Sequence, residues 1–286
     1  MRLSLLHRTT FVYEGHARDS FNEVRLRPMD TDLQSCRRFA LRVSPEAPPR
    51  EYVDFYGNTA HYFSIASPHP ELMVEAESEV DTVPNAARPG APAPDQMIPL
   101  APGDAELQAE YLQASHYVPL AETLERECET ALSAGRSSAW EDFHRLGRHV
   151  RRTFTYQPEA TGVDTLATDA LRLRAGVCQD FAHVLIGLSR CAGIPARYVS
   201  GYFLNLNRKP GEMEASHAWV EGFMPGVGWT AFDPTHDRSA DERYIQVAVG
   251  RDYGDIRPIG GTYRGSATKE LRVEVEVREA SALAAR

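Results

Sequence analysis

The stretch Arg174-Ala175-Gly176-Val177-Cys178-Gln179-Asp180-Phe181-Ala182 sets a thiol at the point where a glycine-bearing turn becomes an apolar segment. From Cys178 to Ala192, Phe181, Val184, Leu185, Leu188 and Cys191 recur at the helical period, and Gly193 stands where helices commonly end. The spacing predicts a buried helix with the sulfur in its first turn. There the unpaired amides and the positive end of the helix dipole favour the thiolate, the nucleophilic form. Gly176 supplies backbone freedom for a tight approach to Cys178. Asp180 is placed for helix-start electrostatics, or for a hydrogen bond that fixes the loop, rather than for proton transfer.

Downstream the period changes to two. Residues 197–203, 217–223 and 228–232 read as consecutive strands of one sheet. His217, in Ser216-His217-Ala218-Trp219-Val220-Glu221, and Asp233, in Gly228-Trp229-Thr230-Ala231-Phe232-Asp233-Pro234, then lie on neighbouring strands. Cys178, His217 and Asp233 together supply nucleophile, base and orienting carboxylate. The Cys178 amide is the natural first oxyanion donor; for the second, Tyr156 or a backbone amide is open. Trp219 shares a face with His217, so it either walls the imidazole from water or fills the core. His183, five residues beyond Cys178, is turned about 140° from the thiol and is not expected to be the base. Each residue also has an ordinary reading: Cys178 as packing, His217 as a satisfied polar group, Asp233 as an Asp-Pro turn former.

Working back toward the start, helical spacing is found over 168–174, 140–150, 120–132 and 104–107. Residues 84–103 are rich in proline, glycine and alanine and read as an exposed linker. Before it, the segments 10–13, 23–26, 38–43, 60–65 and 72–76 alternate or carry β-branched and aromatic residues, separated by turn formers such as Pro28-Met29-Asp30 and Tyr56-Gly57-Asn58. The expectation is an α+β chain: an antiparallel β-rich domain over 1–83, a linker over 84–103 and a catalytic domain over 104–286. Residues 271–278 alternate most cleanly and predict a long strand with one wet face; the alternation does not say which sheet it joins.

A net charge of -9 over 286 residues argues against a nucleic-acid or anionic-membrane partner. Without a secretory or membrane-spanning apolar run, a cytoplasmic protein is expected. Cys36, Cys128 and Cys191 are irregularly spaced and read as reduced and inert. His236 and Asp237 invite a metal site with Cys178 and His217. That reading is disfavoured, because a helix-held thiolate and a carboxylate aimed at the far imidazole nitrogen need no ion. No EF-hand ligand cluster is present. No cofactor is expected.

The glycine-cysteine-aspartate-alanine block at 176–182, His217-Ala218-Trp219 and Asp233-Pro234 resemble, in order, the three blocks of the transglutaminase-like superfamily. The wider pattern, with 244–253 and 260–265, is similar to bacterial transglutaminase-like proteins that carry an N-terminal β-rich region. The resemblance implies a papain-like core with the catalytic helix packed on an antiparallel sheet. It implies that Cys178 attacks an amide carbonyl, His217 moves the proton and Asp233 holds the imidazole. The substrate would be a peptide or protein amide, with an amine as a possible acceptor. Alternatives are a cysteine protease or amidase, a zinc-dependent hydrolase and a non-catalytic binding or scaffold protein.

Overall fold

The structure, a computed structural model, describes residues 1–88, 90, 108–206 and 216–280. Most of the proline-rich linker and the helical segment expected at 104–107 lie outside these residues. The chain is α+β, as its periodicities predict. Strand β1 (Arg2–Val24) is followed by β2 (Gln34–Ser44), β3 (Arg50–Val53), β4 (Thr59–Ile65) and β5 (His69–Thr82). Next come helices α1 (Glu122–Ala131) and α2 (Ala139–Thr153), the short β6 (Thr155–Tyr156), α3 (Ala167–Leu173), β7 (Ala175–Gly176) and α4 (Cys178–Cys191). Strands β8 (Ala196–Phe203), β9 (His217–Met224), β10 (Gly228–Phe232), β11 (Tyr244–Gly250), β12 (Ile259–Gly265) and β13 (Thr268–Glu279) complete the order.

The segments 10–13 and 23–26, expected as separate strands, are corrected to one continuous β1 with the second ending at Val24. No turn interrupts it. The register instead shifts between Val12 and Ala17 and between Arg18 and Phe21, and Asp19 takes a positive φ of 48°. Such bulges bend a strand without ending it. The first half of β1 pairs with β5 and β13, the second half with β4 and β12, all antiparallel. Strands β12 and β13, from the segment expected as the catalytic domain, pair with β1 and join the N-terminal sheet. Alternation gave β13 a face but no partner.

A second sheet has the order β10-β9-β8-β11. Helix α4 lies on it, with Phe181, Val184, Leu185 and Leu188 fully buried. Each such side chain contributes about 1.5–3 kcal/mol over an exposed one. Leu3, Leu5, Val80, Val275 and Val277 of the N-terminal sheet enter the same core. The outer edge of β11 is closed by side-chain amides that imitate a strand. Gln34 accepts from the Gln246 amide at 2.8 Å and donates to its carbonyl at 2.7 Å; Asn58 does the same for Val249, at 2.7 and 2.8 Å. An edge so capped offers nothing to a foreign strand.

Candidate active site

The loop before Cys178 is fixed from both sides. Arg174, the left-handed cap of α3 at φ 55°, makes two 2.6 Å bonds to Glu127 of α1. Strand β6 pairs in parallel with β7, setting Tyr156 opposite Gly176. Asp180 then locks the helix start: its Oδ2 accepts from the Val177 amide at 2.8 Å and from Thr161 Oγ1 at 2.7 Å. The bond from Val177 is the return half of a capping box. The carboxyl is 1 % exposed, and burial raises its pKa against the pull of these donors. Gly176 serves Asp180 more than Cys178, because a Cβ there would lie 2.3 Å from Asp180 Oδ2 and 2.7 Å from its Cβ.

Cys178 is partly exposed and opens α4, so its amide has no intrahelical acceptor and is free to receive an oxyanion. Asp233, one residue past β10, accepts through Oδ2 from His217, whose Nε2 lies 2.7 Å away. That commitment leaves Nδ1 for the thiol, which acts on the ring through a hydrogen bond and through charge. Asp233 is fully buried. Oδ2 also accepts from His236 Nδ1 at 2.7 Å and Tyr244 OH at 2.8 Å, while Oδ1 takes the Thr235 and His236 amides at 2.8 and 3.2 Å. Burial works against the His217 charge, yet Asp233 and Cys178 outweigh it and hold the imidazole pKa well above its ordinary range. Burial likewise opposes the Asp233 charge, and the two imidazoles reverse that, leaving its pKa far below the usual carboxylate range.

The structure thus brings Cys178, His217 and Asp233 together. Trp219 is 2 % exposed, its ring centroid 6.1 Å from His217 and 5.3 Å from Tyr244, so it both fills the core and backs the imidazole. Tyr156 is 54 % exposed and close enough to feel the Cys178 charge, which adds to burial in raising its phenol. His183 stacks on Tyr117 at 5.2 Å and accepts from the Tyr253 amide at 3.2 Å, away from the chemistry. His217, Asp233 and His236 have ligand atoms within 4.8 Å of one another, a spacing a metal could use. The close bonds on Oδ2 make them a hydrogen-bonded cluster instead.

Two contributors were not legible as site residues. Tyr244 heads a strand eleven residues past Asp233, in the 244–253 block that enters only the wider resemblance and gives this side chain no role. His236 reads in the sequence only as a candidate ligand, although Asp-Pro-Thr-His is also the pattern of an Asx turn, which places its amide on Asp233.

The transglutaminase-like superfamily core matches residues 126–234, and the bacterial transglutaminase-like N-terminal region matches residues 3–81. The chain is 33 % identical over 292 residues to the protein ML0607 of Mycobacterium leprae, covering 96 % of this chain and 98 % of that one. A protein-glutamine gamma-glutamyltransferase of Pseudomonas aeruginosa is 35 % identical over 117 residues, covering 36 % of this chain and 17 % of that protein. The crystal structure of a Cytophaga hutchinsonii protein, described as a candidate cysteine protease, has a TM-score of 0.74 at 21 % identity, covering 97 % of this chain and 91 % of that one. By these matches, and with its cysteine, histidine and aspartate assembled on the core they cover, the chain belongs to the cysteine-based transglutaminase-like superfamily, with the N-terminal region of its bacterial members.

Proposed function

We propose that this protein is a cysteine acyltransferase acting on amide bonds of a peptide or protein. The observation that carries the reading is the buried His217–Asp233 bond of 2.7 Å, with the remaining imidazole nitrogen left to a thiol at a helix N-terminus. The Cys178 thiolate adds to the amide carbonyl, and the oxyanion forms beside the Cys178 amide. His217 gives its proton to the departing amine, the C–N bond breaks, and a thioester remains. A second nucleophile, deprotonated by His217, then takes the acyl group and returns the sulfur as thiolate. Asp233 keeps the imidazole oriented through both steps and stabilises its charged form.

Whether an amine or water enters second decides between transamidation and hydrolysis. The name of the Pseudomonas aeruginosa relative, a glutamyl transferase, supports the first. The partly exposed Cys178 beside a 54 % exposed Tyr156 leaves water a path to the thioester and supports the second as a competing outcome. Intact-mass trapping with a library of glutamine-bearing and other peptide amides tests the reading. A covalent adduct equal to the donor less its amine is expected on the wild type and none on Cys178→Ala. No adduct across the library, or one that survives the substitution, would remove Cys178 from the mechanism.

A further inference from the structure

We propose that His236 is a positioning residue for this chemistry: by donating Nδ1–H to the same Asp233 oxygen that receives His217, it limits the carboxylate's hold on the base. The inference rests on the role given to His217 above, but its geometry is independent of any substrate. An ionised carboxylate oxygen offers about two lone-pair directions. Asp233 Oδ2 receives three donors, from His217 and His236 at 2.7 Å each and from Tyr244 at 2.8 Å. The three bonds therefore divide one acceptor, and each weakens the others. Asp233 itself is fully buried, so the balance is set by these protein donors.

The ring of His236 is not needed to shape the turn. Asp233 Oδ1 already takes the Thr235 and His236 amides, and the Asp233 amide donates to the Arg238 carbonyl at 2.8 Å. The bond to Oδ2 is an addition, made by a side chain that is 42 % exposed while Asp233 is sealed. His236 is thus the donor through which solvent reaches the pair. His217 is faced by Cys178, Asp233, Tyr244 and His236. His236 is faced by Asp233, His217 and the Phe203 ring at 5.2 Å. Arg238 and Arg243, over the Phe203 ring, are both paired with Asp241. The two guanidinium groups share that one carboxylate.

The test follows the His217 imidazole by NMR titration in the full chain, comparing wild type with His236→Ala, His236→Asn and His236→Gln. An asparagine amide reaches the place of Nδ1, whereas a glutamine amide reaches that of Nε2. Removing the donor in His236→Ala should raise the His217 midpoint by about half to one pH unit, the size of one net hydrogen bond. His236→Asn should stay near wild type, and His236→Gln should follow the alanine variant. An unchanged or lowered midpoint in His236→Ala overturns the proposal, as does an equal shift in His236→Asn. Because no turnover is read, failure of acyl trapping and failure here are separate results.

Discussion

Charge is handled in opposite ways by the N-terminal sheet and by the body around Cys178. On the sheet much of it lies in exposed rows: Arg42 reaches Glu77, Arg2 and Arg37 share Asp81, and Arg38 lies 3.8 Å from Glu79. Around Cys178 the Asp233 carboxylate is fully buried and receives five hydrogen bonds. Exposed pairs exchange readily with water and contribute about 0–1 kcal/mol each. A buried charge has no such substitute, so losing its partner strands it at a cost of about 3–5 kcal/mol. The two regions share a core, yet the exposed pairs of the sheet can lose a partner at far lower cost than Asp233.

Asp233→Asn attacks the contrast where it is greatest. The neutral amide ends the stabilisation of the His217 imidazolium, and turnover should fall by about 10³–10⁴-fold. The sign of the pH effect is fixed by the raised imidazole pKa. In the wild type His217 keeps its proton through neutral pH and loses it only as pH rises through that elevated value. Without the Asp233 charge only Cys178 opposes burial, so the titration midpoint should drop and the alkaline limb of activity should move down. An alkaline limb at its wild-type position would break the claim that the buried pair governs the base. Gly176→Ala comes next, because its Cβ must displace the buried Asp180 carboxylate. An overpacking loss of about 1–3 kcal/mol in denaturant unfolding is expected, with slower alkylation of Cys178. At the other extreme, Arg38→Ala removes a long pair whose side chains are 64 % and 44 % exposed. Its Tm should stay within about 2 °C of wild type, measured calorimetrically.

The same contrast separates what was legible in the chain from what was not. Helix α4 was readable because Phe181, Val184, Leu185 and Leu188 keep one period and Gly193 closes it, and the observed Cys178–Cys191 departs from expectation by one residue. Cys178, His217 and Asp233 were readable as a candidate set because each stands in a block with its own local signature. Strand β13 was readable as a strand but not as a partner of β1, since alternation records faces and not neighbours. The bulged continuity of β1 was hidden because a register shift needs no turn residues. Tyr244 and His236 were hidden for a related reason: their role comes from converging on Asp233, and convergence leaves no mark at either position. The Gln34 and Asn58 bonds to β11 join residues 212 and 191 positions apart, beyond the reach of any local pattern.

Strand β1 is hydrogen-bonded along its first half to β13, from Leu3 opposite Glu279 to Tyr13 opposite Thr268. On the ribosome those partners emerge only after every other strand of that sheet has been made. Until they do, the longest strand of the protein waits with one side open, and an open side invites misplaced pairing. The body around Cys178, encoded between these strands, draws Val275 and Val277 of β13 into its core and so is itself incomplete until they are made. A truncation before residue 268 would accordingly strip a flank from β1, leaving a nascent-chain hazard as a permanent one.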